Sequence, residues 1–182
     1  MSEDAASGQT AVEDDDAART PDVELIHGVP MVRVGTQATL HPDREEYVGL
    51  VESLRADGYW LCVDLCGVDY LTYEAPRGLP EGVEAERFEV VVGLVDPTGR
   101  RRLRVRVQVP GDDPTIDSLV AVHPGVDAYE RETWDLFGIT FEGHPGLSRI
   151  LLPDTWEGHP LRKDSPTGDI PVQFKAPRGL RS

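Results

Sequence analysis

The stretch RFEVVVGLVDPTGRRRLRVRVQV, Arg87 to Val109, decides the fold. Two runs rich in β-branched residues, Arg87 to Val95 and Arg102 to Val109, flank the turn residues Asp96-Pro97-Thr98-Gly99, the pattern of a β-hairpin. The second run alternates sharply. Leu103, Val105, Val107 and Val109 are predicted to face a core, and Arg102, Arg104, Arg106 and Gln108 to face away from it. This leaves a basic stripe on one sheet face. The stripe reads either as a solvated or edge-protecting face or as a docking face for an acidic partner surface.

Working outward, Val29 to Val34 reads as a short strand. His41-Pro42-Asp43 is predicted to open a helix reaching about Ala56, with Tyr47, Leu50, Val51 and Leu54 at helical spacing and Asp57-Gly58 as its stop. Tyr59 to Leu71 is strand-like, and its run WLCVDLCGVDYL is apolar on both faces, which predicts a central strand. Gly67 within it marks a bulge or a close approach. A loop rich in Gly, Pro and Glu covers Glu74 to Glu84, and Pro114 to Val120 reads as a short helix. The order predicts an α+β fold: a small antiparallel or mixed sheet with helices on one face, followed by a long extended C-terminal arm. Three regions follow, an acidic and disordered stretch over 1–20, the α+β domain over 21–138, and a partner-wrapping arm over 139–182.

Charge narrows the function. The 182 residues include 33 acidic and 18 basic side chains, a formal net charge of -15. Such a chain repels nucleic-acid phosphates and anionic membrane surfaces. No apolar run approaches the roughly 20 residues of a spanning helix. The N-terminus MSEDAASGQTAVEDDD lacks the basic and apolar regions of a secretory signal, so a cytosolic or cytosol-facing location is expected. Cys62 and Cys66 sit four apart in a predicted strand, about 13 Å, beyond the roughly 7 Å reach of a disulfide. They read as two small buried hydrophobes, with thin support for a redox or metal role.

The most informative segment is DAYERETWDLFG, Asp127 to Gly138. Asp127 and Glu130 have the spacing of a capping box, and Gly138 is placed to end the helix in a left-handed turn. Arg131 and Asp135 stand at i,i+4 and are expected to pair, while Glu132 is a like-charged neighbour of Asp135. Capping and pairing account for these carboxyls without acid/base catalysis, which needs two carboxyls in a pocket with separated pKa values. Beyond Gly138, Glu-Gly-His-Pro occurs twice, at Glu142–Pro145 and Glu157–Pro160, each His held extended by the following Pro. Sustained periodicity is lacking, and a structureless stretch of this length makes sense as an arm that orders across a partner. Phe141, Leu147, Ile150, Leu151 and Trp156 are its expected apolar anchors, and Arg149, Arg162, Lys163 and Asp164 its polar register contacts. His123, His144 and His159 lack the spacing of a zinc site.

Ala128-Tyr129-Glu130-Arg131-Glu132, Asp135-Leu136-Phe137-Gly138-Ile139, Phe141-Glu142-Gly143-His144-Pro145, Arg149-Ile150-Leu151 and Trp156-Glu157-Gly158-His159-Pro160-Leu161-Arg162-Lys163-Asp164 form an ordered set of motifs. Together they resemble the signature of the C-subunit family of proton-pumping NADH:quinone oxidoreductase, complex I. The resemblance spans about Asp64 to Pro166, with Gly67–Tyr70 and Arg87–Val91 agreeing more weakly. Asp127-Ala128 stands where the family has Asn-Trp, and Gly146-Leu147-Ser148-Arg149 where it has Asp-Leu-Arg-Arg. Related hydrogenases and F420H2-type dehydrogenases carry a homologous subunit.

The resemblance implies a non-catalytic subunit of the peripheral arm on the cytoplasmic side of the cell membrane. It would pack against the quinone-site D-like subunit and the cluster-bearing B- and I-like subunits. NADH, FMN, iron–sulfur clusters and quinone would belong to other subunits, with no catalytic, cofactor or metal residue here. The chain carries no cluster-type cysteine run, no G-x-G-x-x-G turn after a strand and no P-loop. The implied partner-interface residues are Glu130, Arg131, Glu132, Asp135, His144, Arg149, Trp156, His159, Arg162, Lys163 and Asp164.

Overall fold

The computed structural model describes residues 23–166. The predicted hairpin forms with Phe88 opposite Val109 and Asp96 opposite Arg101. In chain order the elements are β1 (Val23–Ile26), β2 (Val29–Val34), β3 (Gln37–Leu40), α1 (Tyr47–Ala56), β4 (Leu61–Asp69), β5 (Phe88–Asp96), β6 (Arg101–Val109), β7 (Thr115–Asp117), a 3-10 turn (Pro124–Val126), α2 (Asp127–Phe137) and β8 (Thr140–Glu142). The main sheet has six strands in the order β1-β2-β3-β6-β5-β4. All its pairings are antiparallel except β3 with β6, so the sheet is mixed.

The alternation read in β6 holds: Leu103, Val105, Val107 and Val109 are buried, while Arg102 and Arg104 are exposed. The buried residues join Val90, Val92 and Leu94 of β5 and the Tyr47, Leu50, Val51 and Leu54 stripe of α1 in one cluster. Tyr129, Trp134 and Phe137 of α2 pack against that cluster. Both helices therefore cover the same face of the sheet, and the face bearing Arg102 and Arg104 is left without a helix.

Four expectations are corrected. The helix predicted from Asp43 begins only at Tyr47, because Arg44 is drawn across to the Asp113 carboxylate and the Thr115 carbonyl, at 2.9 and 2.8 Å. The strand predicted to be central, β4, is an edge strand, since β3 takes the outer side of β6 and leaves β5 as β4's one partner in the sheet. Cys66 is exposed and Cys62 half-buried, both as free thiols. Cys66 lies opposite Val91, on the helix-free face, so it cannot serve as a core hydrophobe. The helix expected over Pro114–Val120 is instead strand β7, paired parallel with β8. Thr140 N–H donates to the Pro114 carbonyl and Ser118 N–H to the Glu142 carbonyl, both at 2.8 Å, so pairing with a distant strand overrides the local preference. Strands β1 and β3 were not read from the sequence; four residues each is too short for alternation to register. The disordered stretch expected over 1–20 and the end of the arm, 167–182, lie outside the described residues.

Gly67 is the close approach its position in β4 predicted. A Cβ there would lie 2.9 Å from Thr133 Cγ2 and 3.1 Å from Phe137 Cδ2 of α2. Thr133 is β-branched and set in a helix, so it has little rotamer freedom to give way. Gly67→Ala is expected to destabilise the domain by about 1–3 kcal/mol through overpacking, read as a lowered urea midpoint with an unchanged slope.

Candidate functional site

Helix α2 has 11 residues, about 16 Å, too few to be stable alone in water. Beyond the packing of Tyr129, Trp134 and Phe137, what holds it is polar. Glu130 and Asp135 are both fully buried, and they project toward different parts of the chain. Glu130 does not close a capping box: the residue before the helix is Val126, and no side chain caps that end. The Glu130 carboxylate instead accepts from the Ser118 hydroxyl at 2.6 Å and the Leu119 N–H at 2.7 Å, tying α2 to the chain leaving β7. Burial pushes its pKa above the usual carboxylate range, and these two donors pull it back only in part.

Asp135 does not pair with Arg131 as its spacing predicted. It accepts from Arg149 Nη1 at 2.5 Å and from three successive backbone N–H groups, Ile150, Leu151 and Leu152, at 3.1, 2.9 and 3.0 Å. Consecutive N–H groups converging on one oxygen form a backbone nest. Here the anion in the nest is the protein's own. Burial acts to raise the Asp135 pKa, but the three N–H groups and the Arg149 guanidinium outweigh it and bring the pKa down to about 2. Arg131 turns to the same segment, donating to the Ser148 and Arg149 carbonyls at 3.2 Å, with only a long 3.9 Å contact to Asp127.

Gly138 takes the left-handed conformation predicted for it, φ +72°, and its N–H closes the helix on the Trp134 carbonyl. A side chain there would also strike the His159 ring, 2.5 Å from Cδ2. The next three carbonyls of α2 all find donors in the C-terminal segment. Asp135 O accepts from His159 Nδ1 at 3.0 Å, Leu136 O from Leu161 N–H at 3.0 Å, and Phe137 O from Arg162 Nε at 2.6 Å. Because a carbonyl only accepts, Nδ1 of His159 carries the proton. The Arg162 guanidinium at a helix C-terminus also complements the helix dipole.

The two Glu-Gly-His-Pro repeats thus grip opposite ends of one helix. The buried His144 ring stands 3.4 Å from Asp127 Oδ1 and from the Asp127 carbonyl at the N-terminus, and His159 holds the C-terminus. The Asp127 and Asp135 positions are roughly 12 Å apart along the axis. No cluster of three or more His, Cys, Asp or Glu placed to hold a metal ion occurs among the described residues.

The far end of the segment is pinned to the sheet. Asp69, buried at the end of β4, accepts from Arg87 Nε and Nη2 at 3.2 and 3.0 Å, from Leu71 N–H at 3.0 Å and from Lys163 N–H at 2.8 Å. Arg87 Nη2 also reaches Asp164 at 2.8 Å. Burial works against the Asp69 carboxylate, yet Arg87 and the two N–H groups hold its pKa below the usual range. Asp69 and Arg87 were not among the expected site residues. The available signal was weak: the apolar strand run holds two carboxylates, Asp64 and Asp69, and only the buried one, Asp69, demands a partner.

The described part of the arm binds the chain's own fold. From β8 through residue 166 the expected extended arm is instead a run of turns and bends, and Arg149, His159, Arg162, the Lys163 backbone and Asp164 bond the chain's own helix and sheet. Phe141 is buried in β8, while Leu147 and Trp156 are half-buried. Ile150 and Leu151 remain outside, 40% and 59% exposed, and Glu132 is exposed as well.

Residues 40–170 match the family described as the 30 Kd subunit of respiratory-chain NADH dehydrogenase. The chain belongs to that family. The C subunit of the NADH-quinone oxidoreductase of Salinispora arenicola is 43% identical over 142 residues, 76% of this chain and 54% of the relative. That of Mycobacterium marinum is 45% identical over 142 residues, 76% of this chain and 56% of the relative. The chain spans about half the length of these curated relatives. Among solved structures, the trypsin-resistant fragment (1–134) of Nqo5 is 36% identical with a TM-score of 0.58, covering 66% of this chain and 91% of that one. A chain of the archaeal membrane-bound sulfane sulfur reductase, a respiratory membrane complex, has a TM-score of 0.62 at 21% identity over 75% of each chain, which shows the shared fold alone. The residues that carried the sequence resemblance are largely those that latch the C-terminal segment onto α2.

The latch should be visible in acid. A carboxylate whose folded pKa lies below its unfolded value adds stability above the unfolded value and loses it as pH falls through the folded one. For Asp135, moving from 3.8 to about 2, the contribution is about 2 kcal/mol, lost between about pH 4 and pH 2. Asp135→Asn is expected to cost roughly 3–5 kcal/mol at pH 7 by leaving Arg149 and the nest without an anion, and to flatten that part of the acid-unfolding curve. Urea titrations of both proteins at stepped pH measure it.

Proposed function

We propose that this chain is a non-catalytic structural subunit of the peripheral arm of an NADH:quinone oxidoreductase, packed against its quinone-site and terminal iron–sulfur subunits. Membership of the 30 Kd subunit family and relatives named as the C subunit of NADH-quinone oxidoreductase support the reading. Electron transfer from NADH to quinone, with its coupled proton translocation, would be carried by other subunits holding NADH, FMN, iron–sulfur clusters and quinone. The chain would reach the cytoplasmic side of the cell membrane through those D-like, B-like and I-like partners. No helix among the described residues is long and apolar enough to cross a membrane.

The observation that carries a scaffold role is what the latch displays. The N–H groups of residues 150–152 all turn inward to Asp135, which tethers the loop, and Ile150 and Leu151 stand exposed beside one another on it. Leu161, 46% exposed, extends the apolar surface of the same segment. Adjacent aliphatic side chains on a tethered loop cost little further entropy on docking, which suits them as anchors.

A pull-down of the tagged full-length chain from mildly solubilised membranes tests this. The expected recovery is an NADH-binding flavoprotein subunit together with quinone-site subunits; quinone-site subunits without the flavoprotein would assign the chain to a related dehydrogenase or hydrogenase. Ile150→Ser/Leu151→Ser should lower recovery about tenfold or more, since anchors of this kind contribute ~1–2 kcal/mol each, while the isolated chain melts like the wild type. Unchanged recovery with the double variant would reject these two residues as anchors.

A further inference from the structure

The helix-free face of the sheet carries a furrow that the latch does not use. It crosses β3, β6, β5 and β4 near the tip of the hairpin and encloses about 490 Å³. Gly93 lies in its floor, opposite Arg104 of β6 on one side and Asp64 of β4 on the other. Strand β4 is irregular between Cys62 and Asp64, and a Cβ on Gly93 would come within 3.2 Å of Val63 Cγ2. Val63 thus leans over Gly93, and the furrow runs beside it, with Val63 and Val95 as apolar lining and Arg102 and Arg104 along the opposite wall.

The charges in the furrow are unbalanced. Elsewhere the arginines of β6 meet carboxylates: Arg106 pairs with buried Glu89 at 2.7 Å and Arg101 with Asp96 at 2.7 Å. Arg102 and Arg104 have no carboxylate within ion-pair distance among the described residues. With its amide oxygen turned inward, Gln37 accepts from Arg104 Nε and Nη1 at 2.7 and 2.8 Å, a neutral contact that orients the guanidinium without neutralising it. In a chain with net charge -15, two exposed cations that share a furrow with Asp64 alone among the lining carboxylates, and pair with neither it nor any other, need an explanation. Edge protection does not supply one, since β6 is an interior strand.

We propose that this furrow docks an acidic, apolar-anchored segment of a neighbouring subunit. Its carboxylate would be received by Arg102 and Arg104, and an aliphatic side chain would lie beside Val63 and Val95. Asp64, at the far wall, repels a second carboxylate and fixes which way round the segment lies. Guanidinium groups suit the role because they take carboxylates in a planar, two-bonded geometry. The inference rests on the reading of this chain as part of a larger assembly, and it adds a second gripping surface on the face opposite the helices.

The test uses the complex recovered through the tagged full-length chain, with the photo-crosslinking residue p-benzoylphenylalanine at Val63. Irradiation is expected to join Val63 to a peptide of another subunit that carries Asp or Glu beside aliphatic residues. Arg102→Glu/Arg104→Glu should cut the crosslink yield about tenfold or more, Arg102→Gln/Arg104→Gln less, and Arg100→Glu, in the exposed turn, not at all. Unchanged melting of the isolated variants separates lost docking from lost folding, and if the charge-reversed double variant fails to fold the neutral one decides. The proposal is overturned if Val63 joins no other polypeptide, or if it joins a second copy of this chain, its own residues or a peptide without acids. Indifference of the yield to charge reversal overturns it as well. Recovery of the complex without the crosslink would sink this inference and leave the scaffold reading standing; failure to recover any complex would sink both.

Discussion

The Asp135 carboxylate, buried on α2, receives three successive N–H groups and one guanidinium from residues 149–152, and the path of the chain after β8 depends on that arrangement. Backbone N–H groups must be paired wherever they leave water. A segment with no helix and no sheet ladder has to find acceptors elsewhere, and α2 supplies them: one carboxylate and the carbonyls of its last turn. The dependence is mutual. A helix this short needs tertiary partners, and the segment needs the acceptors of the helix, so neither is expected to be ordered without the other.

The same logic recurs at each place where this acidic chain buries a charge. Glu130 holds the exit of β7, Asp69 holds Arg87 and the Lys163 backbone, and Glu89 on the opposite face holds Arg106 and Gln108. A buried pair adds little net stability over apolar residues of the same size, yet removing one partner costs several kcal/mol. Such pairs therefore select register more than they add stability. In α2 they decide which loop lies on which side, and they leave Ile150 and Leu151 turned out where a neighbour can reach them.

Much of the fold was legible from period and turn chemistry. Leu103, Val105, Val107 and Val109 alternate because one face of β6 is buried. Tyr47, Leu50, Val51 and Leu54 share a helical face, and Gly138 ends α2 because a left-handed position admits it without strain. The failures have a common cause. Pro114–Val120 has helical character locally but lies where β8 offers a ladder. The Trp60–Leu71 run is apolar on both faces, yet it occupies an edge. Asp127 and Glu130 have capping-box spacing, but Asp127 falls inside the helix and Glu130 accepts from Ser118 and Leu119 instead. In each case a partner distant in sequence prevailed over the local preference.

The amino-acid sequence by itself determined the hairpin, the helix faces, the α+β class and the family, because hydrophobic period, turn residues and the ordered E-R-E and E-G-H-P motifs are local properties of the chain. Which carboxylate meets which donor was decided only by the tertiary structure. Arg149 and Asp135 are 14 residues apart, and Asp69 and Lys163 are 94. No local pattern encodes such meetings. They arise because packing α2 against β4 brings those groups out of water together, where each must pair with what is within reach.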